Sequence, residues 1–168
     1  MAPTRRVTNL ALLVSIGLVL SVIESTFPPL LPVPGAKLGL ANIATVIALY
    51  LFGPGMALEV TVLRCLIGGF LRGSVIGLFL SLSGGLASTL VMIALYVLID
   101  RYISVIGVSV AGAATHNAAQ LAAAYLLVRN VALFYYLPYL ILVSVPTGLF
   151  VGFVSRRVAL SLKGLSLA

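Results

Sequence analysis

Long apolar runs with few polar interruptions make up most of the chain. The first runs from Val7 to Ile23, behind Arg5-Arg6. From Glu24 to Lys37 the chain carries four prolines and a glycine. Proline lacks an N–H and clashes with the preceding helical turn, so this stretch is predicted to be a loop. The loop is itself apolar, and it must pack on the bilayer interface, a pocket or the other helices. The second run, 38–52, stops at Gly53-Pro54-Gly55, and the third, 56–70, stops at Leu71-Arg72-Gly73. The fourth, 74–99, closes at Asp100-Arg101; the fifth, 103–128, closes at Arg129-Asn130; the sixth, 131–154, ends before Arg156-Arg157. A membrane-spanning helix takes about 20 mainly apolar residues. The pattern therefore predicts an all-α, polytopic protein with six transmembrane helices in a single membrane domain over residues 1–168. The second and third runs are short enough to be tilted or partly re-entrant.

Composition agrees. Of 168 residues, 62% are hydrophobic and 8% charged. A soluble domain carries roughly 25% charged residues, so this chain cannot cover a water-facing surface. A soluble enzyme and a disordered tail are excluded. The net charge of +7 does not point to nucleic acid, because the basic residues are scattered at the ends of apolar runs. They fit membrane topology instead. With the N-terminus in the cytoplasm, six inner positions are basic (Arg5, Arg6, Arg101, Arg156, Arg157, Lys163) against three outer ones (Lys37, Arg72, Arg129). Both termini are then predicted to be cytoplasmic in a cell-membrane protein, with the proline-rich loop outside. The first run lacks a small-residue cleavage site and is read as a retained helix. The single cysteine, Cys65, excludes an internal disulfide and reads as a packing residue.

Small residues recur every fourth position at Gly73, Gly77, Ser81, Gly85 and Thr89, and again at Gly107, Ala111, Thr115, Ala119 and Ala123. Gly148 and Gly152 repeat the spacing, and Ala11 and Ser15 form a weaker version. Positions four apart share a helical face, and small side chains there let helices approach closely in lipid.

Polar residues within the spans carry the candidate chemistry, because an ionisable group in hydrocarbon is costly unless paired or wetted. Glu59 and Arg64 lie about 140° apart on a helix and do not face one another. Arg64 is either half of an internal ion pair or a ligand-facing cation. His116, Asn117 and Gln120 cluster on the fifth run, as an interhelical polar clamp or as the wall of a polar pocket. Lys37 and Asn42 stand at the start of the second helix, where free N–H groups attract anions. Lys37 is there either for an anionic ligand or as a snorkelling interfacial lysine. Tyr135, Tyr136 and Tyr139 read as interface anchors. One histidine, one cysteine and no carboxylate cluster leave a metal site unsupported, and no cofactor is expected.

The stretch from Glu24-Ser to Pro-Gly-Ala-Lys-Leu-Gly-Leu-Ala-Asn42 begins a longer pattern. Leu63-Arg64, Gly73-Ser74, Ser83-Gly84-Gly85 and Gly112-Ala-x-x-His116-Asn117-x-x-Gln120 continue it. Together these segments resemble the Gx transporter family, which also carries the name heptaprenyl diphosphate synthase component I. That family is similar to the substrate-binding S components of energy-coupling factor transporters. The resemblance implies a six-helix bundle of the S-component type that captures a small molecule from outside. The first loop and the outer halves of later helices would form the site. Ala11 and Ser15 would dock on a transmembrane coupling subunit, and separate ATPase subunits would supply energy.

The residues themselves contain neither the aspartate clusters that hold magnesium on a diphosphate nor a Gly-x-x-x-x-Gly-Lys-Ser/Thr loop. The expectation is thus a non-enzymatic, lipid-embedded binding component. Its substrate would be small, partly apolar and, in one reading, anionic: a vitamin, a flavin, or an isoprenoid or quinone precursor. Lys37, Asn42, Arg64, His116, Asn117 and Gln120 would meet its polar groups. The alternative is a non-catalytic membrane subunit of a prenyl- or quinone-synthesis complex.

Overall fold

The computed structural model describes residues 3–26, 39–99 and 103–165. The described residues form helices and no strand. Helix α1 spans Pro3–Thr26, α2 Asn42–Phe52, α3 Pro54–Arg72, α4 Val75–Ile99, α5 Val105–Val128 and α6 Leu137–Leu165, with a 3₁₀ segment Val131–Tyr136 leading into α6. Among the described residues, four stretches are long and apolar enough to cross a membrane: α1, α3, 75–98 of α4, and 131–162.

The predicted runs all become helices, with shifted ends. Helix α1 extends to Thr26 and so takes in Glu24, which the proline content next to it had assigned to the loop. Helix α2 starts at Asn42 rather than at 38. The sixth run opens as a 3₁₀ segment and its helix continues past 154 to Leu165, carrying the basic pair Arg156-Arg157 on an exposed turn.

Helix α2 has only 11 residues, a rise of about 16 Å against a hydrocarbon thickness of about 30 Å. It therefore starts part-way along its neighbours. Every residue from Ala41 to Leu49 is buried, which makes this short helix the centre of the bundle. Its other end turns directly into α3 through Gly53, whose φ of +92° favours glycine, and Pro54 then opens α3 without wasting an N–H. Helix α2 packs on α1, α3 and α6; α3 packs on α1 and α4; α5 packs along α4 and α6. The main apolar core joins Leu13 and Val14 of α1, the α2 residues, Met56, Ala57 and Val60 of α3, Met92, Val108 and Val151.

Helix α5 is as long as α1, with 24 residues, but its polar side chains dilute its apolarity. It lies between α4 and α6 with His116, Asn117 and Gln120 turned inward. Helices α5 and α6 meet backbone to backbone. A Cβ on Gly148 would stand 2.6 Å from Val110 Cα, and one on Gly152 would stand 2.7 Å from Ile106 Cα. The Gly148/Gly152 spacing thus does what small residues do in lipid-dissolved bundles. The stripe on α5 is offset from expectation: Ala111, Thr115 and Ala119 are half-buried, and Gly112 makes the tight contact, against Met92. On α4, Ser81, Gly85 and Thr89 do face α3, while Gly77 is exposed.

Because Val110 Cα is backbone and cannot rotate away, Gly148→Ala is expected to destabilise the protein by about 1–3 kcal/mol. Gly55 has open space around it, so Gly55→Ala is expected to stay within about 0.5 kcal/mol of the wild type. Melting of the detergent-solubilised variants checks both.

Candidate functional site

The site is built around Arg64. Ten residues of helix along α3 from Pro54 raise Arg64 by about 15 Å, close to the level at which α2 begins. That match puts Asn42, the first residue of α2, opposite Arg64. Arg64 Nη2 donates to Asn42 Oδ1 at 2.8 Å, and both residues are buried. The aliphatic stem of Arg64 runs beneath α1, where a Cβ on Gly17 would stand 3.0 Å from Arg64 Cδ. On the α4 side, a Cβ on Gly85 would come within 3.9 Å of Arg64 Nη2. Gly17 thus clears space for the Arg64 stem, whereas Gly85 lets α4 close on Cys65 and Thr61, each 3.1 Å from a Cβ placed there.

Among the described residues, Arg64 has no carboxylate partner. The ion pair between Arg6 and Glu59 is the salt bridge present among the described residues, and it lies on the exposed outer faces of α1 and α3. Arg64 is 6% exposed, and its Nε is buried without a hydrogen-bond partner. The internal ion-pair reading of Arg64 therefore has no support from the described residues. An open groove of about 440 Å³ lined by Leu10, Leu58, Glu59, Val62 and Leu63 sits on the opposite side of α3 and does not reach Arg64.

Glu24 is the residue that sequence reasoning missed. It sits in the last turn of α1, is 6% exposed, and accepts a hydrogen bond from the Gly39 N–H. The turn 39–41 leads directly into α2, with Asn42 N–H bonded to the Gly39 carbonyl. A carboxylate of the chain itself thus already occupies the N-terminal end of α2, where the helix dipole favours negative charge. The signal available was a lone carboxylate ending an apolar run, which in a membrane protein counts as functional by default.

One turn deeper lies a second polar layer. Thr61 Oγ shares hydrogen bonds with Thr45 Oγ at 3.0 Å and with Thr89 Oγ at 2.9 Å, tying α2, α3 and α4 together. All three side chains are almost fully buried. Each stands about one turn from a residue around Arg64: Thr45 from Asn42, Thr61 from Arg64, Thr89 from Gly85. No sequence spacing announces this layer, since its members sit on three separate helices.

The α5 residues approach from the far side of α4. A Cβ on Gly84 would stand 2.5 Å from Gln120 Cγ and 3.1 Å from His116 Cε1. His116 and Gln120 thus face Gly84, while Gly85 faces Cys65 and Thr61 of α3, with Arg64 further off. Gln120 is 4% exposed, and its Oε1 is buried without a partner. Asn117 points elsewhere, donating from Nδ2 to the Leu140 carbonyl of α6 at 3.2 Å, which is a clamp between helices. The structure therefore brings Asn42 and Arg64 together, sets His116 and Gln120 across α4 from them, and turns Asn117 toward α6. Lys37 lies outside the described residues. Ala11 and Ser15 are exposed on the outer face of α1 beside Leu12 and Ile16. Tyr135 and Tyr139 are exposed near the start of α6 and Tyr136 is half-buried.

The arrangement can bind an anion and hydrogen-bond a polar group. It offers no group of three His, Cys, Asp or Glu side chains for a metal among the described residues. Fold and site together define a helical membrane protein with a polar layer enclosed by its short second helix. Residues 13–158 match the family described as heptaprenyl diphosphate synthase component I, and the chain belongs to that family. No curated protein and no solved structure matches it.

Replacing Asn42 with Leu leaves the guanidinium without its protein acceptor and is expected to cost about 1.5–3 kcal/mol. Asn42→Asp is expected to restore stability, because it returns an acceptor with a compensating charge. Thr61→Val removes two interhelical hydrogen bonds and is expected to cost roughly 1–2 kcal/mol, with Thr89→Val costing about half of that. Thermal or SDS unfolding of purified protein measures each.

Proposed function

We propose that this chain is the substrate-binding membrane component of a transporter of the energy-coupling factor type, holding a small, partly apolar anion among its helices. The observation that carries the reading is the buried guanidinium of Arg64, with one protein hydrogen bond and no ion pair among the described residues. A lone cation in this setting costs several kcal/mol. A bound anion would remove that cost. Asn42 orients Arg64, while His116 and Gln120 form the polar wall across α4. Asn117 braces that wall against α6, and Lys37 joins from the first loop. The exposed Ala11 and Ser15 give α1 a small-residue patch on which a coupling subunit would dock, with ATPase subunits behind it. Both termini are assigned to the cytoplasm of a cell-membrane protein.

A second reading is favoured by the family's name. In it the chain is a non-catalytic membrane subunit of a heptaprenyl diphosphate or quinone synthesis complex, and the same site holds a precursor or product. Mild-detergent purification followed by mass spectrometry of retained proteins and small molecules separates the two. The first reading expects a retained small anion, lost in Arg64→Gln, together with coupling and ATPase subunits. Recovery of a soluble prenyl synthase in their place selects the second. Loss of no anion on Arg64→Gln would remove the binding role in both.

A further inference from the structure

We infer that the groove between α1 and α3 seats one anionic phospholipid, its acyl chain lying along the groove and its phosphate meeting Arg5 and Arg6. The groove measures about 440 Å³ and is lined by Leu10 of α1 and by Leu58, Glu59, Val62 and Leu63 of α3. It opens on the outside of the bundle and is separate from Arg64, so this seat is independent of whatever Arg64 binds.

The lining separates a lipid chain from a neighbouring helix. Helices that associate in lipid use small residues, because their backbones must approach closely. Gly148 and Gly152 do this for α6 on α5. The apolar walls of the groove are leucine and valine instead. They hold another backbone at a distance and leave a furrow that a thin, flexible chain can follow. Walls with nothing packed on their open side forfeit dispersion contacts. An acyl chain restores those contacts without any directional bond.

The headgroup follows from the charges that border the groove. Arg6 lies four residues before Leu10, on the same face of α1. It forms an ion pair with Glu59, which is itself part of the lining. The two side chains are 55% and 39% exposed, so the pair is open to a headgroup. One Arg6 nitrogen is spent on Glu59, and the remaining N–H groups of the guanidinium are available to a phosphate. Arg5 is exposed beside it. Two cations against one carboxylate leave one positive charge at the mouth. A phosphodiester carries the single negative charge that meets it, whereas a zwitterionic headgroup brings its own cation. In the assigned orientation this end lies at the cytoplasmic leaflet, where anionic lipids concentrate.

The test titrates full-length protein in a neutral detergent with phospholipids and reads thermal shift. Dioleoyl phosphatidylglycerol is expected to stabilise at concentrations about fivefold below those that dioleoyl phosphatidylcholine needs, the effect of one surplus arginine. Glycerol 3-phosphate, a headgroup without chains, is expected to have no effect. Arg5→Gln removes the surplus charge and is expected to erase the preference. The double variant Arg6→Gln/Glu59→Gln removes the pair but keeps the surplus, and is expected to retain part of the preference. Leu10→Trp and Val62→Trp fill the groove from opposite walls, so one serves if the other fails to fold. Each is expected to weaken both lipids by about tenfold or more, through lost burial of the chain. Unchanged lipid affinity in the fillers would overturn the seat, since a general attraction to the basic surface does not depend on the groove. Equal stabilisation by the two lipids would overturn the anionic headgroup. Oxidative crosslinking of Leu63→Cys to a second copy in liposomes would give the groove to a protein neighbour and overturn the lipid; the native Cys65 is buried and serves as the silent control.

Discussion

A guanidinium dissolved among apolar helices has to be accommodated by everything around it. Its charge must be met by contacts, which only neighbouring elements can supply. The neighbouring elements are shaped accordingly. Helix α2 is cut short so that its first residue arrives at the level of the guanidinium. Helix α1 drops a side chain at Gly17 to let the stem pass. The carboxylate of Glu24 is used one step away, to hold the turn that aims Asn42. The result is a cation positioned by the protein, with no ion-pair partner among the described residues.

What keeps the helices close enough for this is different from the force that folds a soluble core. Lipid tails are as apolar as leucine, so burial alone does not press helices together. Here contact comes from missing side chains and from short polar bridges. The threonine layer ties three helices with hydroxyls that have no water to compete for them. Gly148 and Gly152 bring α6 onto the backbone of α5. Helix α1 is the most loosely embedded of these elements, with much of its length exposed. It is held by the Arg6–Glu59 pair, by the stem of Arg64 under Gly17, and by Glu24 at its far end.

Much of this could be read along the chain. Apolar runs broken by proline, glycine and charge predict the helices because lipid allows few other backbone solutions. Their cost in hydrocarbon marks Arg64 and Asn42 as candidates, and the structure brings the two into a hydrogen bond. The errors share a cause. Glu24 reads as loop because Pro28 and Pro29 follow it closely, yet the helix runs on to Thr26 and stops just short of them. The start of α2 and the 3₁₀ entrance to α6 depend on packing and turn geometry, which hydrophobicity does not encode. Asn117 reads like its neighbours His116 and Gln120, and only the position of α6 turns it into a clamp. The threonine layer was invisible because its partners are brought together by tertiary structure alone.

The polar face of α5 has a consequence for biogenesis. A nascent segment containing Thr115-His116-Asn117 and Gln120 partitions weakly into bilayer by itself, since each such side chain opposes leaving water. Its native location is sheltered by α4 before it in the chain and α6 after it. The segment must therefore enter lipid in company, handed over as a hairpin with one of those neighbours. Weakening the α5–α6 seam would then be felt first during insertion at the translocation machinery, as a chain threaded incorrectly, before it appeared as a less stable finished protein.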